Sequence, residues 1–423
     1  MATSETTQRP ELPLPRSEIR PARDTHIGAL RRVRRDAGAF LEYLWELSAS
    51  VRRHRAAAIL FEGKEATTGL PITAFYFGHG DNYAFLLNRL CTEHRVIERR
   101  ERLHPLGVRR WVAQFSERAS LLCADVELLP SRLLPADSFL RVPQWVRQKY
   151  AVPGTWAELL GSLRKNTRAT DLRKVRKYGF TYRITSAEEE FRAFYSRMYV
   201  PYLRGRFAEE AIIEPEWKVL RQCRKGELLQ VLREGRLVAA VLLHRLAGRL
   251  AYVWVGVPED VEGDLFRGAF SALYYFTLLY GFECGCREID FLGSRPLLND
   301  GLFHYKRKWG THVEDSPVPR GDILLRPVIF DEAVRGFFAS NSFIVRDGAE
   351  LVGKVLLEGA PVTRSRLEEV LDQFHTSGLR EIKVFSMSGF DPEARSWAAG
   401  PDVPLRLLDL GDSGDPARDF CRF

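Results

Sequence analysis

One stretch of this chain gathers groups that can do chemistry: Glu288-Ile-Asp-Phe-Leu-Gly-Ser-Arg-Pro-Leu-Leu-Asn-Asp-Gly-Leu-Phe-His-Tyr-Lys-Arg-Lys-Trp-Gly310. An apolar strand ends in the carboxylate of Asp290 and in Gly293. A polar loop follows, then the aromatic–lysine pair Tyr305–Lys306 and a Trp309–Gly310 stop. A strand would deliver Asp290 to its C-terminal edge. Gly293 would let backbone approach a ligand closely. Lys306 would supply positive charge where an oxyanion develops. Each has a plainer reading. Lys306 sits in a basic turn with Arg307 and Lys308, Asp290 suits an N-cap or an ion pair, and Tyr305 and Trp309 suit a core.

Other chemistries find no pattern. The chain has no G-x-S-x-G elbow, no H-E-x-x-H and no G-x-x-x-x-G-K-[ST]. The six cysteines do not read as a disulfide framework. Cys284 and Cys286 lack a second Cys or His pair at metal-ligand spacing, so no metal site is expected and the two thiols read as part of a helix-to-strand turn. The histidines are scattered, and His244 reads as a core or edge residue of a strand.

Positive charge is concentrated. The formal net charge is +8, which favours an anionic partner. The run Arg164–Lys177 holds seven basic side chains against Asp171. Arg164, Lys165, Arg168, Arg173, Lys174 and Lys177 are candidate contacts to a phosphate backbone; the plainer alternative is a solvated helix face. Arg204 and Arg206, beside Tyr199 and Tyr202, could hold an anionic small-molecule or peptide acceptor, or form a surface turn. Trp254 is a further candidate substrate contact.

The elements that must position these groups follow from periodicity. Residues 1–25 read as a loose tail, followed by a helix over Gly38–Val51. Strands are expected at Ala57–Phe61, Ile72–Phe77, Tyr83–Leu87, Val108–Gln114 and Leu121–Leu129. Thr155 and Glu158 have capping-box spacing, as do Ser186 and Glu189. The strand Glu227–Arg233, a turn at Glu234–Gly235, the strand Leu237–Leu243, a turn at Ala247–Gly248 and the strand Leu250–Val257 make an antiparallel run. The helix Asp264–Tyr280 and the strand Glu288–Leu292 complete it. Lys354–Leu357, a helix Arg364–Phe374 and a strand Glu381–Phe385 suggest a β-α-β unit, with a frayed end. The expected class is α/β with mixed, largely antiparallel sheets. The expected divisions are a tail over 1–25, a lobe over 26–145, a second over 146–315 and an extension over 316–423. The polar N-terminus does not read as a signal peptide. The apolar run Gly268–Phe282 is too short to span a bilayer and reads as a buried helix, so the cytoplasm is the expected compartment. Oligomeric state is not legible.

The chemical stretch resembles the Fem-type aminoacyl transferases and the related CelD-like branch of the GNAT superfamily. The shared pattern is D-F-x-G, a loop, then D-G-L-x-x-aromatic-K-x-x-aromatic-G. Here it is carried by Asp290, Phe291, Gly293, Asp300, Gly301, Leu302, Tyr305, Lys306, Trp309 and Gly310. Leu163–Gly179 is similar to the family's basic helix and Ser186–Phe207 to the helix after it. The resemblance implies tandem GNAT-like lobes and transfer of an acyl or aminoacyl group to an amine, with Lys306 supporting the tetrahedral intermediate. It implies no general base and no tightly bound cofactor. The donor would be aminoacyl-tRNA, with tRNA as a partner, or acyl-CoA. GNAT enzymes usually grip the CoA pyrophosphate with R/Q-x-x-G-x-G/A at a helix N-terminus. The matching stretch, Gly256–Gly268, instead carries Glu259, Asp260, Glu262 and Asp264, which would repel a pyrophosphate. A non-catalytic RNA- or nucleotide-binding protein on the same scaffold is the alternative.

Overall fold

The computed structural model describes residues 12–14, 56–80, 82–207, 213–316 and 321–422. The helix expected over Gly38–Val51 and most of the tail lie outside the described residues. The chain forms two compact units. The first takes its described residues from 56–147, 293–304 and 313–422, the second from 12–14, 148–292 and 305–312.

The first unit opens with a hairpin of β1 (Ala56–Glu65) and β2 (Pro71–Gly78), in which Ala57 lies opposite Gly78. Next come a helix α1 (Tyr83–Leu90), strand β3 (Cys91–Leu103) returning along β1, a helix α2 (Val108–Phe115) and strand β4 (Leu121–Val126), parallel to β2. Two expected strands, Tyr83–Leu87 and Val108–Gln114, are therefore helices. Their buried residues explain this: Leu86, Leu87 and Leu90, and Val108, Val112 and Phe115, recur at helical rather than alternating spacing. Strand β3 is almost wholly exposed and charged, as suits a sheet edge, and leaves no apolar signal to read.

The second unit holds most of a seven-stranded sheet. After β5 (Leu140–Pro143) in the first unit, β6 (Val146–Ala151) leads to α3 (Trp156–Ser162). The Thr155–Glu158 capping box forms, Thr155 Oγ1 accepting from Glu158 N and Glu158 Oε2 from Thr155 N. A π-turn (Thr167–Asp171) precedes α4 (Leu172–Lys177). After β7 (Thr181–Thr185), α5 (Glu188–Phe194) passes through a second π-turn (Tyr195–Tyr199) into α6 (Val200–Phe207). Here the expected Ser186 cap is replaced by Ala187 as the cap residue, its N–H donating to Thr185 Oγ1. Helix α7 (Glu216–Cys223) precedes the meander β8 (Glu227–Arg233), β9 (Arg236–Leu246) and β10 (Arg249–Gly256). Both of its turns have two residues at positive φ, Glu234–Gly235 and Ala247–Gly248, which matches the strand twist. The long helix α8 (Gly263–Glu283) is buried along most of its length. Strand β11 (Glu288–Ser294), helix α9 (Gly301–Arg307) and β12 (His312–Asp315) follow, and the sheet order is β12-β6-β11-β10-β9-β8-β7.

The remaining chain joins the first unit rather than forming a separate extension over 316–423. Strand β13 (Asp322–Pro327) inserts antiparallel between β4 and β5, completing the order β3-β1-β2-β4-β13-β5. After α10 (Glu332–Ser340), a four-stranded sheet forms from β14 (Phe343–Asp347), β15 (Glu350–Leu357), β16 (Leu379–Ser386) and β17 (Leu405–Asp409). Helix α11 (Arg364–Phe374) links the parallel pair β15 and β16, which is the expected β-α-β unit, and α12 (Pro392–Ala398) links β16 and β17. The end of the chain is not frayed: α13 (Pro416–Arg422) buries Phe420 and Cys421. Among the described residues no helix is long and apolar enough to cross a membrane.

Lys354 ties that last helix down. Its Nζ donates to the carbonyls of Phe420 (2.7 Å) and Cys421 (3.1 Å) and lies over the Phe385 and Phe420 rings. Burial pulls its pKa down to about 7, helped by nearby Lys383 and opposed by Cys421 and Asp347. Between pH 7 and the ordinary lysine range the unfolded chain therefore binds the extra proton. Stability from this site must rise with pH across that window, by about 1.4 kcal/mol per unit at most. Denaturant titrations at pH 7 and pH 9 should show that rise in the native chain and a flatter dependence in Lys354→Met.

Candidate active site

Strands β10 and β11 pair in parallel only from Arg249 opposite Glu288 to Ala251 opposite Asp290. Beyond that point no pairing continues, and β10 shifts register against β9 between Tyr252 and Trp254. The sheet thus parts directly after Asp290. Its carboxylate Oδ1 accepts from the N–H of Leu292 at 2.8 Å, and Leu292 takes a φ of 60°. A left-handed conformation costs a leucine roughly 1 kcal/mol, and this hydrogen bond offsets it. Asp290 holds the bend by which β11 leaves its neighbour.

Aromatic rings fill the parting. Tyr252 on β10 and Phe291 on β11 lie 5.5 Å apart, and Tyr274 of α8 contacts both, at 5.1 and 4.9 Å. Tyr305 and Trp309 pack on the same Tyr274 ring, at 5.1 and 5.5 Å. Phe270 touches Tyr305, and Tyr202 of α6 touches Phe266 and Phe270. Burial holds the phenols of Tyr252, Tyr274 and Tyr305 well above their ordinary pKa, so they keep their protons. Lys306 lies between Tyr305 and Trp309 in sequence and is 4% exposed, so the surface-lysine reading does not hold. Its helix is capped by Asp300, whose Oδ1 accepts from Leu302 N and Phe303 N. Gly310 ends the segment at a φ of 81°, where a Cβ would crowd Tyr150 at 3.1 Å and the Ser162 carbonyl at 3.2 Å.

A partly buried ion pair lies beside the Tyr305 ring. Lys308 Nζ donates to both oxygens of Asp171, at 2.8 and 2.9 Å, and stands 3.9 Å from the centre of the Tyr305 ring. Ser271 Oγ donates to Asp171 at 2.6 Å and lies 3.5 Å from the Tyr305 hydroxyl. The π-turn makes this possible by turning both Thr167 and Asp171 inward, and Thr167 Oγ1 donates to the Lys308 carbonyl. Burial lowers the pKa of Lys308, while Asp171 opposes the shift. Asp171, Ser271 and Lys308 were not singled out from the sequence. A lone acid within a basic run was the available signal, since such an acid has cause to be buried.

The other candidates are dispersed. Arg204 and Arg206 are exposed on the last turn of α6, and Arg206 acts electrostatically on the Tyr202 and Tyr274 phenols. Trp254 packs on Tyr199, 5.7 Å away. Lys165, Arg168, Arg173 and Lys177 are exposed, Arg164 is half-buried, and Lys174 pairs with Asp264 at 3.7 Å. Gly293 belongs to the first unit, where a Cβ would lie 3.2 Å from the Trp145 ring; close packing, rather than approach to a ligand, accounts for it. The N-terminal turn of α8 holds Asp264, which also pairs with Arg267, and Asp260 pairs with Arg236. His244 Nε2 donates to the Gln222 carbonyl at 3.0 Å, as a strand residue with a structural partner.

Residues 161–307 match the family model described as "Acetyltransferase (GNAT) domain". The matched stretch is a GNAT domain. The matched residues run from the end of α3 through both π-turns and the parting strands to α9. Similar solved structures include that of FemX, with 14% identity and a TM-score of 0.34, covering 64% of this chain and 84% of that one. L-PGS from Bacillus licheniformis has 12% identity and a TM-score of 0.31, over 66% and 87%. A tandem GNAT protein from the clavulanic acid biosynthesis pathway has 12% identity and a TM-score of 0.26, over 62% and 80%. No curated protein matches the chain.

Two substitutions test the architecture of this domain. Asp171→Asn should cost about 2–3 kcal/mol, below the range for wholly buried pairs because Lys308 keeps 23% of its exposure. Gly256→Ala should cost about 1–3 kcal/mol, because its Cβ would meet Met198 Cβ at 2.7 Å in the second π-turn. Urea unfolding of each variant measures both.

Proposed function

We propose that this chain is an N-acyltransferase of the Fem-like kind, moving an acyl or aminoacyl group from an activated donor to an amine. The observation that carries the proposal is the buried lysine on the turn that packs against the parted strands. Tyr305 and Trp309, flanking Lys306, rest on Tyr274, and Tyr274 touches both β10 and β11. A cation held in that low-dielectric surrounding stabilises the oxyanion of a tetrahedral intermediate far more than one in water. Amine attack on the acyl carbonyl forms that intermediate. Its collapse expels the donor's alcohol or thiol, and the amine proton leaves with it. Asp290 contributes by fixing the bend, not by touching the reacting atoms.

Two donors fit the reading. Aminoacyl-tRNA is supported by Lys165, Arg168, Arg173 and Lys177, exposed along one basic segment. It is supported also by Asp264, which occupies the helix end where a CoA pyrophosphate would sit. Acyl-CoA remains the second donor, and Arg204 and Arg206 suit an anionic acceptor or donor tail. Either donor would place the reaction in the cytoplasm. A non-catalytic RNA-binding role rests on the same exposed cations, and binding with a steep salt dependence but no turnover would favour it.

Lys306→Met keeps the side-chain bulk and removes the charge. It should lower kcat/KM roughly 10²–10³-fold while the circular dichroism spectrum persists; full activity in a folded variant removes the mechanism. Ribonuclease treatment of the reaction separates the donors, since only transfer from aminoacyl-tRNA is abolished by it.

A further inference from the structure

The hydroxyl of Tyr252 is buried and makes no hydrogen bond among the described residues. Buried phenols normally find a partner, and this one is 7% exposed. Tyr252 is the first residue of β10 beyond its last parallel pair, Ala251 opposite Asp290. Its ring packs on Tyr274 and Phe291 at the apex of the parting. The phenols of Tyr274, Tyr202 and Tyr305 lie near enough to act on its proton electrostatically.

Resting on the acyltransferase reading, we propose that Tyr252 is a specificity-determining residue of this site, its O–H donating to the carbonyl oxygen of the donor's acyl group. The chemistry of the surroundings selects that ligand atom. The phenols hold their protons at any working pH, so they present hydrogen-bond donors. The charged groups around the ring cluster are Asp171 and Lys308, each satisfied by the other, Arg206, which acts on Tyr202 and Tyr274, and, on the acyltransferase reading, Lys306. An acyl carbonyl has lone pairs and no donors, and so complements this lining. An ammonium would bring donors to donors and a positive charge beside Arg206 and Lys306. The rings of Tyr274 and Phe291 beside it would give the apolar remainder of an acyl group a surround of low polarity. The amine acceptor would then approach from outside it.

The test is Tyr252→Phe in the full chain. A hydroxyl without a protein partner contributes nothing to the fold, so thermal unfolding should be unchanged or shifted up by a few degrees. A fall of more than about 4 °C would mean that the hydroxyl bonds within the protein, and would overturn the assignment. Transfer is measured with acetyl-CoA and with alanyl-tRNA as donor probes. With the donor that the native chain uses, kcat/KM should fall about 5- to 100-fold. Native-level transfer by Tyr252→Phe overturns this assignment and leaves the acyltransferase reading standing. Failure of the native chain with every donor overturns that reading, and the assignment with it.

Discussion

The candidate site depends on where two parallel strands stop pairing. Three residue pairs join β10 to β11, and after Ala251 and Asp290 the ladder ends. Ending a ladder inside a core leaves backbone groups and apolar surface that must be satisfied otherwise. The chain does this with side chains. Asp290 takes the N–H of Leu292, and Tyr252, Phe291 and Tyr274 close over the apolar surface. Much of what distinguishes the second unit serves this opening. The π-turns re-aim Asp171 and seat Tyr199 against Gly256, and the partly buried pair Asp171–Lys308 joins the basic segment to the turn that carries Lys306.

That pair is not a stabilising device in the ordinary sense. Bringing a lysine and an aspartate out of water costs several kcal/mol per ion, and their attraction about repays it. What it provides is registration. Asp171 has three donors, two of them from other parts of the domain, namely Ser271 on α8 and Lys308 after α9. A slip of one residue in the π-turn would leave a buried charge unpaired. The arrangement therefore fixes α4, α8 and the Tyr305–Trp309 turn in one relation. A lysine proposed to meet a developing charge needs that fixity more than it needs stability.

Much of this was legible in the sequence, and the legible parts share a cause. The meander β8–β10, its Glu234–Gly235 and Ala247–Gly248 turns, α8 and β11 all announce themselves by local chemistry: positive-φ turn pairs and apolar runs of the right length. The failures are also physical. Tyr83–Leu87 and Val108–Gln114 read as strands, because short apolar runs favour strand by propensity, while the 3- and 4-residue spacing of their buried residues belongs to helices. Strand β3 is held by its pairing with β1 rather than by its own polar sequence. The residues over 316–423 looked like an extension because nothing local reveals that β13 completes a sheet begun more than 250 residues earlier. At the site, Lys306 and Asp290 stood out by type and spacing. Asp171, Ser271, Lys308 and Tyr252 did not, since each acquires its meaning only from residues distant in the chain.

Charge distribution bears on the donor through the same geometry. The domain is basic on one helix and acidic at the start of another, and the two meet at Lys174 and Asp264, 3.7 Å apart. Exposed at that distance, the contact is weak and screened by salt. It does, however, place a carboxylate at the positive end of α8, where an incoming pyrophosphate would have to displace it. The cations that remain open, Lys165, Arg168, Arg173 and Lys177, lie along a segment rather than around a pocket. A compact pyrophosphate is best held by converging donors, whereas a polynucleotide backbone presents its charges in a row. On the proposed reading this distribution of charge suits an extended polyanion better than a dinucleotide-sized one, and it does so independently of the role proposed for Lys306.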